Sequence, residues 1–165
     1  MTTGRTVSKF TRFVVNDSGS TLREIPVSTI NGVGLTFDEK ESWALQDAIK
    51  SVLSDTPDCP IDISGPFDNS AAVTVAASGL APALSGSHTV LKDINGVMTP
   101  LSLGIYFGIR GYWATGDPTF GLTASSTSGF ICTSYVVDPA SATYTAKFRC
   151  FPGSSAPEWG TSAVT

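Results

Sequence analysis

The sequence predicts a mainly β fold, a β-sandwich or partly closed barrel flanked by one α-helix, and three observations carry that expectation. Short apolar–polar alternations recur along the chain, clusters of Gly, Pro, Asn and Asp punctuate them, and a single stretch has helical periodicity. At 165 residues the chain fits one domain spanning 1–165, large enough to bury a core without disulfide staples.

The elements follow in order. Phe10 to Val15 is rich in Phe and Val and stops at Asn16-Asp17-Ser18-Gly19, which marks a first strand and its turn. Leu22 to Ile30 carries Ile25, Val27 and Ile30, but Pro26 has no N–H for a ladder, so a strand here lies on a sheet edge. Asp38 and Glu41 have capping-box spacing, and Leu45, Ala48, Ile49, Val52 and Leu53 follow at one helical face; a helix is expected over 39–54, stopped by Asp55-Thr56-Pro57. Trp43 lies off that face, either lapping the edge of the core or meeting another subunit.

In "PIDISGPFDN" (60–69), Ile61 and Ile63 point one way and Asp62 and Ser64 the other, before Gly65-Pro66 breaks the ladder. The Ala-, Ser- and Gly-rich stretch that follows predicts a long loop, around 70–100, with room for a helical turn. "LSLGIYFGI" (101–109) alternates strictly, with Leu101, Leu103, Ile105, Phe107 and Ile109 on one face; Gly104 and Gly108 opposite imply tight packing or a wall that something slides past.

A hairpin closes the pattern. Phe130–Val137 and Thr143–Phe151 form its arms, and symmetric closure of a five-residue loop (138–142) sets Phe130 across from Cys150 and Cys132 across from Phe148, all on the buried face. Residues 152–165 form a tail without periodicity, in which Trp159 argues for docking.

Composition limits the function. Charged residues are only 15% of the chain, the net charge is -4, and the ten basic residues are scattered, so tight nucleic-acid binding is disfavoured. No apolar run is long enough for membrane insertion or a signal peptide, which predicts a soluble protein made in the cytoplasm. The odd set Cys59, Cys132 and Cys150 lacks metal or disulfide-framework spacing and reads as small core hydrophobes.

No catalytic constellation emerges, and neither an enzyme nor a cofactor or metal site is expected. His88, after Ser85-Gly86-Ser87, has no nucleophile elbow or oriented acid; Asp62 and Asp68 straddle a Gly-Pro break and make a poor glycosidase pair. Tyr112-Trp113 with Trp159 leaves a sugar-stacking platform open, beside core or interface roles for the same rings.

The order of "FDEKESWALQDAIKSVL", "PIDISGPFDN", "GDPTFG" (116–121) and "AKFRCFPGSSAPEWGT" (146–161) resembles that of the tail tube (major tail) proteins of long-tailed bacteriophages and related phage-derived particles. The resemblance implies a virion structural protein that self-assembles into hexameric rings stacked as a tube. One sheet of each subunit would line a channel for transient, non-specific DNA passage, and loops and termini would reach other tail proteins. On that reading Trp43, Trp113 and Trp159 are expected at subunit interfaces, and Asp62 and Ser64 face the lumen. A capsid decoration or other small virion protein, and a carbohydrate-binding β-sandwich module, are the alternatives.

Overall fold

The structure, a computed structural model, describes residues 8–41, 44, 45, 48, 49, 52–75, 82–109 and 111–165. After a 3-10 turn, β1 (Thr11–Asn16) runs with both faces covered from Arg12 to Asn16, because it lies inside a five-stranded sheet. That sheet pairs it antiparallel with β2 (Leu22–Glu24) on one side and β7 (Leu103–Phe107) on the other. It continues antiparallel through β8 (Thr119–Leu122) to β11 (Glu158–Gly160). A second antiparallel sheet has the order β3 (Thr29–Asn31), β6 (Ile61–Pro66), β10 (Thr143–Cys150), β9 (Phe130–Asp138).

The two sheets enclose one core, as the alternating strands require. Phe13, Val15, Ile105 and Phe120 from the first meet Ile61, Ile63, Tyr144 and Phe148 from the second, and the Phe13 and Phe148 rings lie 5.5 Å apart. The expected mainly β fold with one flanking helix is therefore present, without barrel closure.

The helix is not where periodicity placed it. Within 39–54, Glu39–Glu41 belong to β4 (Thr36–Glu41) and Val52–Ser54 to β5 (Val52–Asp58), and these strands pair antiparallel as a ribbon separate from both sheets. Ala44, Leu45, Ala48 and Ile49 between them are non-helical. Leu45, Ile49 and Leu53, the intended core face, are 89%, 83% and 60% exposed. An apolar stripe at 3.6-residue spacing stabilises a helix only where a core receives it, and among the described residues Leu45, Ile49 and Leu53 of this stripe enter none.

The single α-helix among the described residues is α1 (Ser87–Ile94), inside the stretch expected to be a long loop. It buries Ser87, Val90, Leu91 and Ile94 and lies beside β9, with Val90, Leu91 and Ile94 joining the core. Only two turns long, it carries too few apolar positions to stand out in an Ala- and Ser-rich stretch.

Pro26 does mark an edge, and twice. The chain leaves β2, an edge of the first sheet, and returns as β3, an edge of the second, so the Pro26 segment crosses the sandwich. Tyr144 donates its hydroxyl to the Pro26 carbonyl at 2.7 Å. Gly65 makes this approach fit, since a Cβ there would come within 2.6 Å of the same carbonyl oxygen.

The β9–β10 hairpin keeps the expected partners, Phe130 with Cys150 and Cys132 with Phe148. It reaches them differently. Asp138 pairs Thr143, so the turn is one residue shorter than symmetric closure supposed, and a bulge between the Lys147 and Phe148 pairings restores the register. The bulge leaves Thr133 unopposed and switches the core-facing parity of β9, so that Cys132 and then Tyr135 and Val137 all pack inward.

The outer face of the first sheet has its own cover. Tyr106 and Trp113 stack 4.8 Å apart beside Val14, and the C-terminal residues lie over them, with the Val164 N–H donating to the Tyr106 hydroxyl and the Ser102 hydroxyl to the Thr165 carbonyl. Gly104 gives this segment its space: a Cβ would lie 2.7 Å from the Tyr106 ring and 2.9 Å from Val164. Of the two roles open to the strand glycines, Gly104 serves tight packing. Beneath the same cover Arg12 and Glu24 form a buried ion pair at 3.0 Å.

Candidate functional site

Once the core is accounted for, three exposed surfaces among the described residues bear on function. The first is the β4–β5 arm. Every residue from Thr36 to Glu41 is exposed, Phe37 among them, and the arm also presents Leu45, Ile49 and Leu53 to solvent. Asp38, Glu39, Lys40 and Glu41 set charge on the same ribbon. A two-stranded ribbon is marginal by itself, and an arm that sets several large apolar side chains in solvent is a candidate contact surface.

The second is the outer face of the second sheet. Asp62 and Ser64 lie there together, on β6, as the alternation required. Neither is a bare polar group. Asp62 pairs with Arg149 Nη1 at 2.9 Å, and Ser64 shares a hydroxyl–hydroxyl hydrogen bond with Thr29. Exposed Thr145 and Lys147 on β10 and Thr133 on β9 extend this face, leaving it small, hydroxylated and close to neutral.

The third is the rim of the first sheet at β11. The tail docks, as Trp159 implied: Glu158–Gly160 pair with Thr119–Gly121, and the indole packs 5.0 Å from Phe120 and 5.7 Å from Phe107. Trp159 nevertheless stays 57% exposed. Trp113 is 2% exposed, its Nε1–H donating to the Asp117 carbonyl at 3.0 Å, so its area is used inside its own subunit and is not on offer to a neighbour or to a sugar. Trp43 lies outside the described residues.

The groups that could suggest catalysis are occupied structurally. His88, on the first turn of α1, places Nδ1 3.0 Å from the Tyr135 hydroxyl and stacks on Phe67. Ser85 Oγ exchanges hydrogen bonds with the Val73 backbone, and Ser87 Oγ donates to the Pro66 carbonyl. The Asp68 carboxylate accepts from the hydroxyl and N–H of Ser70, which hold it below the ordinary carboxylate range. Among the described residues no cluster of three or more His, Cys, Asp or Glu could hold a metal, and no helix is long and apolar enough to cross a membrane.

Sequence reasoning missed the arm as an arm. It also missed β8, whose four residues are too short to display a period, and the Arg12–Glu24 pair. The signal for that pair was present: charged residues inside otherwise apolar strand runs need a partner.

No family model matches the chain, and a search of curated proteins finds no match. Solved structures do match. The tube-terminating cap of the anti-feeding prophage aligns over 98% of this chain and 95% of its own, with TM-score 0.52 and 11% identity. The sheath/tube terminator of an extracellular contractile injection system (PVC) aligns over 90% and 93%, with TM-score 0.46 and 13% identity. A chain of that system's sheath–tube complex aligns over 92% and 89%, with TM-score 0.43 and 12% identity. The first alignment shows that this chain shares its fold with that solved structure.

Proposed function

We propose that the chain is a structural, non-enzymatic subunit of a phage-tail-like particle, forming six-membered rings that stack into a tube and conduct DNA. The observation that carries this is the β4–β5 arm, which sets Leu45, Ile49 and Leu53 out in solvent on a ribbon that needs a partner. A second copy is the occupant: a heterologous contact that closes by rotation consumes an arm and a sheet edge on every subunit. Trp159 on the β11 rim serves the same contact.

In this reading the outer face of the second sheet lines the channel. Its Asp62–Arg149 pair neutralises that guanidinium, and exposed Lys147 lies directly across from the same carboxylate, so the wall offers phosphates little net positive charge to hold. Asp62→Lys reverses that by replacing the carboxylate beside Arg149 and Lys147 with a further cation; the expected result is intact rings with slowed DNA passage, and unchanged passage refutes the lumen placement.

One observation favours a second reading, a ring that terminates a tube instead of propagating it: a solved structure that shares the fold is a tube-terminating cap. Negative-stain electron microscopy of the purified chain over a concentration series separates the two. Long tubes support the tube subunit and single rings the terminator, while a monomer at every concentration overturns both.

A further inference from the structure

The root of the arm holds two cysteines that the assembly reading leaves unused. β10 pairs with β6 through Phe148 opposite Ile61, and the same register carried two residues further sets Cys150 opposite Cys59, on the core-facing side. Both thiols line one small cavity of about 190 Å³ with Leu35, Thr56 and Pro57, where β5 leaves the sandwich. Directly opposed residues of an antiparallel pair have Cα atoms roughly 4.5–5.5 Å apart, within the roughly 4.4–6.8 Å that a disulfide spans. Both are free thiols here, and Cys150 is half-buried, the more accessible of the two.

We propose that Cys59 and Cys150 form a redox clip that is open during assembly in a reducing compartment and closes to a disulfide once the particle is outside, the oxidant being a small disulfide of the glutathione class. The timing rests on the tail-particle reading, and the bond does not. The Cys150 thiolate attacks the small disulfide, forming a mixed disulfide and expelling one small thiolate. The Cys59 thiolate then attacks Cys150 Sγ and expels the second, so two protein S–H bonds and one S–S bond become one protein S–S bond and two small thiols.

Closure ties the residue after β5 to the end of β10 and fixes the arm to the sandwich. It is slow at neutral pH. Burial, with the nearby Cys150 and Asp58 charges, pushes the Cys59 thiol up to about 12, and burial with Asp58 raises Cys150 as well, so closure accelerates as pH rises. Cys132 is the internal control: it lies opposite Phe148 and donates its S–H to the Ser134 carbonyl, away from the arm's root.

The test uses the unassembled full chain, reduced and then exposed to oxidised glutathione, with intact mass, non-reducing peptide mapping and thermal melting. The expected product has lost two hydrogens, maps as a Cys59–Cys150 peptide and melts several degrees higher, reversibly with dithiothreitol. Cys132→Ser keeps the product and Cys150→Ser abolishes it. A bridge to Cys132, glutathione adducts that never resolve into a bridge, or an unchanged or lowered melting midpoint overturns the clip. Ring formation by reduced protein, scored separately by microscopy, reports on the assembly reading alone.

Discussion

Replacing Leu45, Ile49 and Leu53 together by Ser separates the stability of the subunit from its association. In the chain these side chains are 89%, 83% and 60% exposed, so their loss removes almost no intramolecular packing and should change unfolding free energy by about 0.5 kcal/mol or less. Fully burying a Leu or Ile side chain contributes about 1.5–3 kcal/mol, so burying the exposed fractions of these three is worth about 3–7 kcal/mol per arm. The entropy of association is the same for both proteins and cancels in the comparison. The lower end of that range already weakens each contact by about 100-fold. Light scattering coupled to size exclusion, over a concentration series, reads the association midpoint, and a thermal melt of the dilute protein reads the subunit. An association midpoint that does not move, or a melt that collapses, means these residues do not serve an intersubunit contact, and the reasoning fails.

Three further outcomes follow from the packing. Phe148→Ala empties the centre of the sandwich opposite Phe13 and should cost about 3–5 kcal/mol, read as a lower urea midpoint. Gly104→Val drives a side chain into the Tyr106 ring and Val164, so a loss of about 1–3 kcal/mol with faster proteolysis of the C-terminal residues is expected. Burial alone would raise the Asp17 carboxyl, but hydrogen bonds from the Thr21 N–H, Arg23 and the Gly19 N–H outweigh it and hold the folded-state value below 3.8. Its contribution is therefore complete above the unfolded value and disappears as pH falls through the depressed one; Asp17→Asn should cost about 1 kcal/mol at pH 7 and flatten the acid limb of stability against pH.

Strand elements were legible where one face is core and the other solvent. In β6 and β10 the alternation of Ile61/Ile63 and Tyr144/Ala146/Phe148 with polar neighbours survives intact, because period two is imposed by burial on one side only. β1 hides the same signal, since its second face is covered by Tyr106, Trp113 and Val164, and it reads as a continuous apolar run interrupted by Arg12. The β9–β10 register was reached from the sequence through two compensating local differences, a shorter turn and a bulge, neither of which leaves a mark in side-chain type. Partner identity at the far end of a hairpin is thus better encoded than the path to it, because Phe130, Cys132 and Phe148 must all enter one core.

The arm shows the opposite case. Leu45, Ile49, Val52 and Leu53 fall at helical spacing, and Asp38 with Glu41 fits a cap, yet the described residues at both ends form strands. Periodicity says that side chains share a face; it does not say which molecule supplies the surface that covers them. For a core helix that surface lies in the same chain, and the pattern and the fold agree. Leu45, Ile49 and Leu53 have no such cover among the described residues, so nothing there enforces a helical period, and the strand pairing from Thr36–Asp58 to Glu41–Val52 prevails. Exposed Leu45 and Ile49 therefore argue for a surface supplied by another chain, which makes the failed helix and the proposed assembly consequences of the same physical fact.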